Sequence, residues 1–122
     1  MKAYLLLLIF LLSITDIIAQ KAKNNVSMLD STKKIWEVET ACGECQFKLP
    51  GSSCDLAVRI NGKAYFVDGT TIDEHGDAHA KDGFCNVVRK AQVQGNIVND
   101  RFVVTYFSLI KPKNKTKNTK KG

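Results

Sequence analysis

Asp55-Leu56-Ala57-Val58-Arg59-Ile60-Asn61-Gly62-Lys63-Ala64-Tyr65-Phe66-Val67-Asp68 is the stretch from which the fold is read. Asn61-Gly62 separates two runs of alternating character. A type I′ turn needs positive φ at both central residues, and Asn-Gly supplies it readily. A two-residue loop also fixes the register. It sets Ile60 opposite Lys63, Arg59 opposite Ala64, Val58 opposite Tyr65, Ala57 opposite Phe66, and Leu56 opposite Val67. Leu56, Val58, Tyr65 and Val67 then share one face, as a core-facing hairpin requires.

Upstream, Ile35 to Ala41 reads as a first strand. Trp36, Val38 and Thr40 take one side, Glu37 and Glu39 the other. Pro50-Gly51-Ser52-Ser53 is turn chemistry, so the loop from Cys42 to Cys54 has no room for a long helix. Downstream, Gly69 to Ala80 is a polar loop. Phe84, Val87, Val88 and Ala91 fall at helical spacing and predict a short amphipathic helix capped by Asp82. Ala91 to Val98 and Arg101 to Ile110 flank Asn99-Asp100 and predict a second hairpin. Its two-residue loop sets Ile97 opposite Phe102, Gly95 opposite Val104, and Val93 opposite Tyr106. Val103, Phe107 and Leu109 make the other side of the last strand apolar too, and Gly95 suits a bend or bulge. The order strand-strand-strand-helix-strand-strand is that of a small OB-like five-stranded barrel, mainly β with one short helix as its plug. An α+β open sheet, arranged as a split sandwich, is the alternative.

The 122 residues give room for one domain. Residues 1–19 have the pattern of a signal peptide: Lys2, the apolar run Leu5 to Leu12, and Ala19 at a cleavage point. That run is too short for a permanent span. The pattern predicts a periplasmic or secreted protein, in a compartment where disulfides persist. Residues 20–34 read as a flexible linker, 35–110 as the barrel, and 111–122 as a disordered Lys-rich tail.

The net charge of +6 is unevenly placed. Residues 20–110 hold eleven basic and eleven acidic side chains, so the folded body is neutral. Lys111, Lys113, Lys115, Lys117, Lys120 and Lys121 supply the whole excess, which predicts weak contact with an anionic surface through the tail. Tyr65 and Phe66 stand where many OB folds stack bases, but the neutral body argues against nucleic acid.

All four cysteines and both histidines lie between Cys42 and Cys85. Two readings compete. In the first, the cysteines pair as disulfides. A Cys54–Cys85 bridge would pin the expected helix to the barrel and stabilise by about 3–4 kcal/mol on the chain-entropy model. Cys42 and Cys45 would then pair locally. In the second, the residues bind metal. Cys42-x-x-Cys45 is a common half of a thiolate site. Asp73-x-His75-x-Asp77-x-His79 puts four ligand-capable side chains on one side of an extended segment. With Cys54 and Cys85 bridged, Cys42, Cys45, His75 and His79 form a two-sulfur, two-nitrogen set that suits zinc or Cu(I). Asp73 and Asp77 would join as ligands or orient the imidazoles.

Other chemistries fit less well. Covalent haem needs a histidine directly after Cys45, and Gln46 stands there. A thioredoxin-like site wants its motif opening a helix, and Pro50-Gly51 comes too soon, so thiol-redox exchange ranks third. No spacing signature marks a cysteine–histidine hydrolase, and no residue is assigned as catalytic.

Cys42-Gly43-Glu44-Cys45-Gln46-Phe47, Cys54-Asp55-Leu56-Ala57-Val58-Arg59-Ile60 through Lys63-Ala64-Tyr65-Phe66-Val67-Asp68-Gly69, and His75-Gly76-Asp77-Ala78-His79 followed by Gly83-Phe84-Cys85 together resemble a family of small exported bacterial proteins common in Bacteroidota. The family is known only as a domain of unknown function. The resemblance runs from about Trp36 to Leu109. It implies a periplasmic single-domain protein with no assigned activity, and it implies that the Cys and His positions form one unit.

Overall fold

The computed structural model describes Val26 and residues 28–113. The expected signal peptide and all of the tail beyond Lys113 lie outside the described residues. Five strands form the body: β1 (Trp36–Cys42), β2 (Leu56–Ile60), β3 (Lys63–Asp68), β4 (Arg89–Val98) and β5 (Arg101–Leu109). One helical turn, α1 (Gly43–Gln46), follows β1, and a 3-10 turn, Ile72–His75, follows β3. The strands close into a barrel in the order β1-β2-β3-β5-β4. All neighbours are antiparallel except β3 and β5. This is the OB-like barrel, not the open sheet. Among the described residues no helix is long and apolar enough to cross a membrane.

The first hairpin forms as its turn dictates. Asn61 and Gly62 have φ of 50° and 83°. Ile60 pairs with Lys63, Val58 with Tyr65 and Ala57 with Phe66. Leu56, Val58 and Val67 enter the core, and Tyr65 packs against its edge. On β1, Val38, Thr40, Ala41 and Cys42 are buried, while Glu37 and Glu39 reach out to Lys90 and Arg59.

The second hairpin departs from the expected register halfway along. Asn99 and Asp100 make its turn with φ of 50° and 62°. Ile97 pairs with Phe102 and Gly95 with Val104, but Gln94 pairs with Tyr106 and Val93 with Phe107. Thr105 is thus an extra residue on β5, a β-bulge opposite Gln94 and Gly95. The bulge explains why β5 is apolar on both sides. Phe102 and Val104 point inward before it, and Phe107 points inward after it. Gly95 is required there: a Cβ would sit 2.2 Å from the Val103 carbonyl oxygen.

The helix expected over Phe84 to Ala91 does not form. Phe84 is buried in a turn, Val88 is exposed, and Ala91 belongs to β4. Only one helical turn closes there, from the Val87 N–H to the Gly83 carbonyl at 3.0 Å. The segment spends its remaining bonding capacity on the preceding loop. The Cys85 N–H donates to the Ala78 carbonyl at 2.9 Å, and the Asn86 amide donates to the His79 and Ala80 carbonyls. Tertiary bonds override a weak local helical pattern.

Gln94 faces away from the barrel interior, yet it is fully buried. Its amide donates to the Asp30 and Lys33 carbonyls and accepts from the Asp30 N–H, all within 3.0 Å. The Phe107 N–H donates to the Val26 carbonyl. The segment before β1 is therefore strapped across the outside of β4 and β5.

Candidate metal centre

Four segments converge at one rim of the barrel. β1 ends at Cys42, and its register sets Cys42 opposite Leu56 and Thr40 opposite Arg89. The end of β1 therefore lies beside the start of β2 and the start of β4. Cys54 sits two residues before β2, and Cys85 four residues before β4. Cys45 rides on α1. The ligand atoms of Cys42, Cys45, Cys54 and Cys85 all lie within 4.8 Å of one another.

The backbone holds this corner tightly. The Cys42 N–H donates to the Phe84 carbonyl at 3.0 Å, and the Gly43 N–H to the Asp55 carbonyl at 2.8 Å. The Gln46 amide donates to the Cys85 carbonyl at 2.8 Å. The Asp55 N–H donates to Glu44 Oε2 at 3.0 Å, which ties the Cys54 loop to α1. The Gly83 carbonyl-to-amide turn packs against residues 77–78 so closely that a Cβ on Gly83 would sit 2.3 Å from the Ala78 carbonyl oxygen. That contact sets where Cys85 emerges.

The sulfurs differ in access. Cys42 is buried, Cys45 exposed, and Cys54 and Cys85 lie between. The Cys45 N–H donates to Cys42 Sγ at 3.4 Å, in the manner of an N-cap. Cys42 Sγ also lies 3.5 Å from Glu44 Oε2. Burial pushes the Cys42 and Cys85 thiols up, and for Cys85 the contact with Cys54 adds to it. Burial also works against the Glu44 carboxylate, but the Asp55 N–H and other donors bring it below its ordinary range. Burial therefore favours the protonated thiol at Cys42 and Cys85.

The four cysteines are free thiols in the structure, with Cys85 Sγ 3.3 Å from Cys54 Sγ. The expected division of labour, with Cys54 and Cys85 as a separate staple and Cys42 and Cys45 joined by histidines, is not what the fold arranges. Cys54 and Cys85 stand in the same cluster as the other two.

The histidine loop behaves differently. Asp73 and His75 lie in the 3-10 turn, Gly76 has φ of 112°, and residues 77–80 form another turn. The segment is not extended, so its alternate side chains do not line up. His75 Nε2 lies 2.8 Å from Thr70 Oγ1, whose hydroxyl donates to Glu74 Oε2 at 2.6 Å. Thr70 has one proton and gives it to Glu74, so His75 donates from Nε2. Its ring packs on Phe107 with centroids 4.3 Å apart. Burial lowers the His75 pKa. Asp77 accepts from the His79 N–H, capping its own turn. Asp73 lines a cleft of about 940 Å³ beside Cys54. Only His79 approaches the sulfurs, with Nε2 3.9 Å from Cys54 Sγ. A short helix does open at Cys42, but it ends after one turn, so it offers a thiol little of a helix N-terminus.

Sequence reasoning found Cys42 and Cys45 as ligand candidates but set Cys54 and Cys85 apart from them. The barrel order it predicted contained the missing signal. In that order the end of β1 meets the starts of both β2 and β4, which is where the remaining cysteines lie.

Comparison with known families gives one match: residues 36–110 fit the model described as "Family of unknown function (DUF6370)". No curated protein and no solved structure matches the chain.

Proposed function

The chain belongs to the DUF6370 family of unknown function, and we propose that its four-cysteine corner is a tetrathiolate metal site with zinc(II) as the resident ion. One observation carries the reading: four thiols from four segments place their sulfurs within 4.8 Å of one another. A tetrahedral zinc with Zn–S of about 2.3 Å sets its sulfurs roughly 3.8 Å apart, so drawing the wider pairs in and opening the 3.3 Å Cys54–Cys85 contact slightly completes the shell. Four sulfurs in that geometry also admit iron, and soft thiolates admit Cu(I). Four protein ligands leave no open position, the arrangement of a structural rather than a catalytic zinc. The leader pattern in residues 1–19 supports action outside the cytoplasm, in a periplasmic or secreted setting.

A second reading rests on the 3.3 Å contact between Cys54 and Cys85. Oxidation there, with Cys42 and Cys45 pairing beside it, would make a disulfide-stapled interaction module without metal. Metal analysis and thiol titration on protein isolated from its own compartment separate the two. One metal per chain with an all-sulfur shell by X-ray absorption supports the tetrathiolate. Absence of metal together with no titratable thiol in denaturant establishes the staple and overturns the first reading.

A further inference from the structure

A second feature, independent of the cysteines, lies where β5 leaves the barrel. Val87, Val88, Arg89 and Lys90 on one side and Ile110, Lys111, Pro112 and Lys113 on the other line an open groove of about 420 Å³ with Asp82 at its rim. The Ile110 N–H donates to the Lys90 carbonyl at 2.9 Å and fixes the two walls together. The floor is aliphatic, and Val88 is 42% exposed. Four cations flank it against one acid, Asp82. Lys90 is engaged by Glu37 at 3.2 Å, which leaves Arg89, Lys111 and Lys113 facing the groove without a carboxylate among the ion pairs of the described residues. The sequence beyond this wall, residues 114–122, adds Lys115, Lys117, Lys120 and Lys121 and no acid.

We propose that this groove, with the cations along its walls, forms a docking surface for an anionic phospholipid membrane. The pairing of an apolar floor with flanking cations argues for a lipid rather than a soluble polyanion. A polyanion would satisfy the lysines but give Val88, Ile110 and Pro112 no apolar phase to enter. A lipid surface satisfies both, and two weak signals together hold a protein where one does not. The aromatic platforms that single-stranded nucleic acids use are missing from the groove lining.

The test is residue-resolved. Dihexanoyl-phosphatidylglycerol, kept below its micelle concentration, is titrated into the full chain while the methyl signals of Val87, Val88 and Ile110 are followed. Because the shifts report location, contacts made by the apolar run at residues 5–12 are distinguished from contacts in the groove. The expected result is saturable shifts at these three residues, weakened roughly tenfold or more by Lys111→Glu with Lys113→Glu. Dihexanoyl-phosphatidylcholine should shift them far less. Vesicles containing phosphatidylglycerol should retain the wild-type chain better than the Val88→Asp variant, with circular dichroism unchanged between them. Equal shifts with the phosphatidylcholine analogue would show a merely apolar groove and overturn the proposal. Equal shifts with inorganic phosphate would show a small-anion site, and absent shifts would show no site; either also overturns it.

Discussion

Cys42, Cys45, Cys54 and Cys85 come from four separated segments and converge, whereas Asp73, His75, Asp77 and His79 come from seven consecutive residues and disperse. The difference lies in what the backbone does at each place. Around the sulfurs, main-chain bonds join β1 to the Phe84 turn, α1 to Asp55, and the Cys85 turn to Ala78. These bonds fix the backbone so that the four thiols gather at one point, with Cys42 Sγ also capping α1. In the histidine loop the ligand atoms of His75 and Asp77 are themselves the structural bonds. His75 donates to Thr70, and Asp77 caps the His79 N–H. Nearness in sequence says little about nearness in space when side chains such as His75 and Asp77 are needed for their own loop.

The comparison breaks most readily if the sulfurs hold nothing. With zinc at about 1,000 times its dissociation constant, binding adds roughly 4 kcal/mol to folding. For a domain of this size, chelation should then lower the midpoint of thermal unfolding by on the order of 15 °C or more. Calorimetry with and without a strong chelator measures this, and an unchanged midpoint would put the cysteines on the same structural footing as the histidines.

A smaller effect probes the stitching. Gly83→Ala forces a backbone contact of 2.3 Å to give way. It should cost about 2 kcal/mol or more in urea unfolding. It should also weaken metal binding, since Cys85 follows two residues later. If stability falls while affinity holds, the Gly83 turn supports the barrel but does not aim Cys85.

The smallest effect belongs to the histidine loop. Burial lowers the His75 pKa, so the folded state favours the neutral ring. Its contribution is fully present above the unfolded value of about 6.5 and is lost as pH falls through the lower folded value. His75→Gln should flatten that part of the stability curve while leaving metal affinity unchanged. Glu74, lowered by its Thr70 and Thr71 donors, adds a separate decline further into acid. A marked loss of metal affinity in His75→Gln would return this residue to the site.

Much of the fold was legible because it rests on short-range rules. Asn61-Gly62 admits one turn, the turn admits one register, and the register decides which side chains are buried. The second hairpin was legible as far as Gly95 and no further. Gly95 marked a bend or bulge, but nothing marked Thr105 on the partner strand as the extra residue, so the expected pairing of Val93 slipped by one. The apparent helix from Phe84 to Ala91 was a coincidence of spacing. Those four residues serve a buried turn, a loop and a strand. The site was half legible. Cys-x-x-Cys is visible in any linear reading, but the arrival of Cys54 and Cys85 depends on β1 pairing with both β2 and β4, a property of closure.

Closure itself has an uneven perimeter. β3 and β5 meet through only two pairings, Val67 with Phe102 and Asp68 with Val103, where β4 and β5 share eight. Arg101 clasps Asp68 through Nε and Nη2 beside that short contact, at 2.8–3.0 Å. Cut there, the cylinder becomes a continuous sheet in the order β3-β2-β1-β4-β5, with every antiparallel pairing kept. The pairings that bring the four sulfurs together, β1 with β2 and β1 with β4, are not the ones cut, although Cys54 shares a cleft with Asp68 and Arg101. Closing the barrel and gathering the sulfurs thus rest on different pairings, the first on the short β3–β5 seam and the second on β1 with β2 and β4.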